Sequence, residues 1–164
     1  DRVVVAGRTA AHVAQVVDEL LTNGESAVAG SYAEAAGCDI VCAATRADAA
    51  LFGLAEVRAG THLNLVGSYR LDLREVAADL VAGSTVAVDD IAAARAEAGD
   101  LHFAVEEGAW SWDRIAGDLT DLASGRLHRS SNTEITLFKS VGLAVQDLAI
   151  AQRAAVAAGI LEVS

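Results

Sequence analysis

The sequence predicts an α/β domain: a doubly wound, mainly parallel sheet that is incomplete at its N-terminus. Three observations predict it. Short apolar runs alternate with helical patterns along the chain. Those runs read as strands buried on both faces, as in a parallel sheet covered by helices. The chain also opens directly on such a run, Asp1-Arg-Val-Val-Val-Ala6, with no lead-in and no methionine anywhere in its 164 residues.

Val3 to Ala6 is a β-branched run closed by Gly7, a strand signal. Thr9 then caps a helix to about Leu21, with Val13, Val16, Val17, Leu20 and Leu21 on one face, and Asn23-Gly24 ends it. Ser26 to Ala29 is a second strand and Tyr32 to Ala36 a short helix. Asp39-Ile-Val-Cys-Ala-Ala44, Thr61-His-Leu-Asn-Leu-Val-Gly67 and Thr85-Val-Ala-Val-Asp89 are three more strands. Helices are expected over Leu73 to Ala82 and Ile91 to Ala98, and an amphipathic one over Ile115 to Ser124. A polar loop follows from Gly125 to Asn132, and Ile135 to Ala158 reads as one long helix. With right-handed crossovers the whole is Rossmann-like. It divides into residues 1–134, the sheet domain, and 135–164, the long helix.

The formal net charge is -11. That argues against nucleic acid or an anionic membrane as partner, since phosphate contacts need clustered Lys and Arg. No uncharged apolar run is long enough to span a membrane, and no secretory signal is visible. Cys38 and Cys42 read as two small buried residues in a reducing cytoplasm. His12, His62, His102 and His128 show no metal-ligand spacing, and His62 reads as structural.

In such a sheet ligands lie beyond the carboxyl ends of the strands. There the sequence puts Gly7-Arg8-Thr9, Ala44-Thr45-Arg46, Gly67-Ser68-Tyr69-Arg70 and Asp89-Asp90. Ordinary turn chemistry accounts for any one of these, while several at one edge point to a nucleotide. Arg8 sits where dinucleotide domains carry a carboxylate for the ribose, and an arginine there meets the 2′-phosphate of NADP bidentately. The G-x-G-x-x-G fingerprint is absent. If Val3 to Ala6 is the unit's second strand, the first strand and its glycine loop are expected upstream of Asp1.

Asp39-Ile-Val-Cys-Ala-Ala-Thr45, Gly60-Thr-His-Leu-Asn-Leu-Val-Gly67, Val88-Asp-Asp90 and Glu134-Ile-Thr-Leu-Phe-Lys-Ser-Val-Gly142, with Asp147 after it, occur in that order. Together they resemble the ornithine cyclodeaminase/mu-crystallin family from Val3 to about Ala155, and the last motif is specific. The resemblance implies a homodimer of two-domain subunits, with an NAD(P)-binding Rossmann domain and a dimerisation and substrate domain toward which the long helix returns. It implies Arg8 and Thr9 at the adenosine ribose and its 2′-phosphate, and Thr45 near the ribose and pyrophosphate. Val66, Gly67 and Ser68 would line the nicotinamide side. Lys139 and Ser140 would lie at the domain junction, Ser140 near the nicotinamide amide. Otherwise Lys139 is a lysine snorkelling beside the helix and Ser140 a helix cap.

Cyclodeaminases of this family carry a catalytic aspartate two residues after the Val-Gly turn; this chain has Tyr69 there. Losing that carboxylate removes the group suited to deamination and ring closure. The expectation is NADPH-dependent reduction of a small cyclic imine carboxylate, of Δ1-pyrroline-2-carboxylate or ketimine type, with NADH possible. The alternatives are an ornithine cyclodeaminase or alanine dehydrogenase activity, or a non-catalytic NADPH-binding protein of mu-crystallin type. The catalytic residues are expected outside this chain, which alone should be inactive.

Overall fold

The computed structural model describes residues 2–160. In chain order the elements are β1 (Arg2–Val5), α1 (Ala10–Thr22), β2 (Ser26–Ala29), α2 (Tyr32–Ala36), β3 (Ile40–Ala43) and β4 (His62–Leu65). Then come α3 (Ala78–Ala82), β5 (Thr85–Val88), α4 (Ile91–Glu97), α5 (Gly99–Glu106), β6 (Ile115–Gly117), α6 (Leu119–Ala123), β7 (Thr136–Lys139) and α7 (Ala144–Ala157). The α/β class with a parallel sheet holds: every strand pair is parallel.

The strands form two sheets, β1–β2 and β3–β4–β7–β5–β6. In the larger sheet Val41, Leu63, Leu137 and Val86 form one cross-strand row, and Ala43, Leu65, Lys139 and Val88 the next. Both rows point to the same face, because side chains alternate along a strand. All eight are buried, and the apolar seven join Leu80, Val81, Ala94, Leu101 and Ala104 in the core under α3, α4 and α5. On the opposite face Ile40 is 66% exposed and His62, Asn64, Thr136 and Phe138 are half-buried.

Several expectations need correction. Ile135 to Ala158 is not one helix: Thr136–Lys139 is the middle strand of the sheet, and α7 starts only at Ala144. A short apolar run does not reveal its period, and Thr-Leu-Phe suits a strand as well. Gly142, at φ +89, separates strand from helix in a conformation that side-chain-bearing residues avoid. Ile115 to Ser124 likewise divides into β6 and α6, where Asp118 caps the new helix by accepting the N–H groups of Thr120 and Asp121. Only Ala78–Ala82 of the helix expected from Leu73 forms. Glu75 and Val76 stay out of it, because their N–H groups bond the Asp100 carboxylate. Helix α5 was not expected. Cys42 is exposed and Cys38 half-buried, so they are not the buried pair the composition suggests; both are free thiols.

Candidate active site

Beyond the carboxyl ends of β3, β4, β5 and β7 the loops close onto four buried charged side chains. Lys139 lies at the centre because β7 is the middle strand and its last residue points into the core. It is 0% exposed, and Nζ donates to the Leu65 carbonyl at 3.2 Å and the Ser140 carbonyl at 3.0 Å. It does not snorkel to the surface.

Three carboxylates surround the ammonium. Glu75, fully buried, accepts the Thr45 N–H at 2.6 Å and the Thr45 hydroxyl at 2.8 Å on Oε1, and the Gly67 N–H at 2.8 Å on Oε2. One side chain thus ties the loop after β3 to the loop after β4. Gly67 has to be glycine: a Cβ would overlap the Thr45 carbonyl oxygen and the Glu75 carboxylate. Asp100, near the start of α5, accepts the Glu75 N–H at 2.7 Å, the Val76 N–H at 3.1 Å and the Ser68 hydroxyl. Asp89 follows β5 directly, and its Oδ2 accepts the Ser140 hydroxyl and the N–H groups of Val141 and Gly142, each at 2.8 Å. Ser140 is therefore not a helix cap.

Burial depresses the Lys139 ammonium below its ordinary pKa, against the pull of Asp100, Glu75 and Asp89. Burial pushes the Asp100 carboxyl up, opposed by the Ser68 hydroxyl, by Lys139 and by the N–H groups of Val76 and Glu75. Like-signed carboxylates and one ammonium hold this cluster together only because nearly every lone pair has a donor.

Of the residues singled out in the sequence, the fold brings Thr45, Gly67, Ser68, Lys139 and Ser140 into this one network. Val66 lies on its rim, 45% exposed. Ser68 and Lys139 are fully buried, so a ligand would meet the loops they hold rather than their polar atoms. Arg8 and Thr9 lie in the loop from β1 of the smaller sheet to α1, and among the described residues share no hydrogen bond with the network. Among the described residues Arg8 makes no side-chain hydrogen bond or ion pair. Thr9 is the N-cap residue of α1, yet its hydroxyl makes no capping bond. Residues 7–12 are exposed, and the first-turn N–H groups at the start of α1 have no partner within the helix. Sequence reasoning missed Glu75 and Asp100. Their only signal was a carboxylate beside apolar residues, in Arg-Glu-Val-Ala and Gly-Asp-Leu.

The chain is similar to Δ1-pyrroline-2-carboxylate reductase of Colwellia psychrerythraea, with 40% identity over 120 residues, 73% of this chain and 38% of that protein. The structure of Thermococcus litoralis Δ1-pyrroline-2-carboxylate reductase, in complex with NADH and L-proline, matches with a TM-score of 0.89 and 29% identity, over 99% of this chain and 53% of that one. An archaeal alanine dehydrogenase dimer with bound NAD matches with a TM-score of 0.89 and 25% identity, over 98% and 51% of the two chains. The chain thus spans well under two thirds of the length of each. The model of the ornithine cyclodeaminase/mu-crystallin family matches residues 1–156, and the chain belongs to that family.

Proposed function

We propose that this chain is the dinucleotide-binding part of a reductase that acts on a small cyclic imine carboxylate, of Δ1-pyrroline-2-carboxylate or ketimine type. The observation that carries the reading is the convergence of Thr45, Val66, Gly67, Ser68 and Ser140 at one sheet edge, in a chain whose relatives bear that reductase name. Tyr69 in place of a carboxylate favours reduction over deamination with ring closure.

Arg8 and Thr9 would hold the adenosine ribose and its 2′-phosphate, which makes NADP(H) the preferred cofactor and NAD(H) a weaker one. Thr45 would stand beside the ribose and pyrophosphate, and Val66, Gly67 and Ser68 along the nicotinamide. A bound nicotinamide supplies the hydride that the imine carbon accepts. This chain's contribution is orientation. Glu75 fixes the Thr45 and Gly67 backbones, Asp100 fixes Ser68, and Asp89 fixes Ser140 through Gly142. Lys139 balances the charge beneath them. Further groups that hold the substrate, and those that move protons, belong to the rest of the protein, toward which α7 leads. A homodimer in the cytoplasm suits this reading, and among the described residues no helix is long and apolar enough to cross a membrane.

The test follows NADPH absorbance with Δ1-pyrroline-2-carboxylate and Δ1-piperideine-2-carboxylate, repeated with NADH. Rapid NADPH oxidation by the whole protein is the expected result. Tight NADPH binding with no oxidation of either imine would overturn catalysis in favour of a cofactor-holding protein. Turnover of L-alanine or ammonia release from L-ornithine, with no imine reduction, would replace it with a dehydrogenase or cyclodeaminase.

A further inference from the structure

Arg46 and Tyr69 follow β3 and β4 on neighbouring loops, one residue beyond Thr45 and two beyond Gly67. Arg46 Nη2 donates to the Tyr69 hydroxyl oxygen at 3.0 Å. Both side chains are exposed at the C-terminal edge of the sheet. Their stems are fixed from below, because Glu75 holds the backbone N–H groups of Thr45 and Gly67 on its two oxygens.

The charge around this pair is uneven. The chain has 23 acidic against 12 basic residues, yet among the described residues only Arg58, Arg70, Arg74 and Arg126 pair with a carboxylate. The nearby Arg70 does, with Asp72 at 2.5 Å, and Arg74 does, with Glu107 at 2.5 Å. Arg46 does not: among the described residues its side chain bonds only to Tyr69. A guanidinium carries five N–H donors in a plane, and this bond uses one. The Tyr69 oxygen accepts from Arg46, so the phenol's own hydrogen is directed elsewhere. The remaining guanidinium N–H groups and one phenol O–H therefore stand side by side with no acceptor among the described residues. Planar donor forks of this kind take an oxyanion bidentately.

We infer that Arg46 and Tyr69 form an oxyanion-binding subsite at the mouth of the cofactor edge. This rests on the reductase reading for the nature of its ligand. The oxyanion is either the carboxylate of the imine substrate or a phosphate of the dinucleotide. The two share the recognition chemistry and differ in what a substitution disturbs.

The test uses the whole protein with Arg46→Gln and Tyr69→Phe. Losing a charge-assisted bidentate contact should raise the affected KM about tenfold or more for Arg46→Gln, and losing one hydrogen bond about threefold for Tyr69→Phe. A rise confined to the KM for Δ1-pyrroline-2-carboxylate identifies the substrate carboxylate. A rise confined to the KM for NADPH identifies the phosphate. Values for both within about twofold of the wild type, in variants with unchanged circular dichroism, overturn the subsite. A second measurement needs neither turnover nor a variant. Phenylglyoxal modification of Arg46 in the wild-type protein, read by peptide mass, should slow several-fold with NADPH or with the unreactive planar acid pyrrole-2-carboxylate. Equal labelling with and without both probes overturns the subsite. Failure of wild-type imine reduction with Arg46 still protected overturns the reductase reading and leaves the subsite standing.

Discussion

Glu75 grips Thr45 twice from thirty residues away, taking its backbone N–H at 2.6 Å and its hydroxyl at 2.8 Å on a single carboxylate oxygen. The other oxygen takes the Gly67 N–H. A carboxylate is acceptor-only, and all three of these partners are donors, so ionised Glu75 satisfies every contact.

Glu75→Gln turns one acceptor into an NH2 group that faces an N–H donor. The variant should lose about 2–4 kcal/mol of stability and, in addition, cofactor affinity. Urea unfolding and NADPH titration of the whole protein check both. Unchanged midpoints would show that the two loops are held by other means.

Lys139→Met removes the one ammonium from among three buried carboxylates and leaves the Leu65 and Ser140 carbonyls without its donors. Removing one partner of a buried charge cluster costs about 3–5 kcal/mol. Chemical denaturation should show a fall of that size despite the gain in hydrophobicity.

Glu134 is held at a pKa of about 2, below its ordinary 4.5, first by the Thr85 hydroxyl and then by the N–H and hydroxyl of Ser130. Its folded pKa is depressed, so its stabilisation is complete above pH 4.5 and is lost as pH falls toward about 2. Glu134→Gln should therefore flatten the acid limb of the stability curve in that window. Denaturation midpoints across it are the check, and parallel wild-type and variant curves would refute the assignment.

Arg8→Ala should weaken NADPH about tenfold or more while leaving NADH nearly unchanged. Dissociation constants for both cofactors decide it. Equal losses for the two would remove Arg8 from the 2′-phosphate.

The parts of this molecule legible in its sequence were the ones set by local pattern. β-branched runs at Val3, Val41 and Val86 became strands, and Asn23-Gly24 ended α1. The loops after β3 and β4 were legible too, because Thr45 and Gly67 carry turn and hydroxyl chemistry at strand ends, whereas Ser140 was read inside a helix. What stayed hidden depends on contacts distant in sequence. β7 inserts between β4 and β5 although some seventy residues separate it from β4, and nothing local marks Thr136 to Lys139 as the middle strand. Glu75 and Asp100 look like surface carboxylates until the fold encloses them. The aromatic corner of Trp110, Trp112 and His102, with Arg95 over Trp112, was equally silent.

The edge position of β3 has a practical consequence. Among the described residues β3 bonds β4 on one side only, and neither strand of the smaller sheet joins it. An unpaired strand edge is a template for another strand. Produced alone, the chain should self-associate and collect in inclusion bodies. A peptide carrying one apolar strand should cap that edge, and recovered solubility would signal that a new ladder has formed.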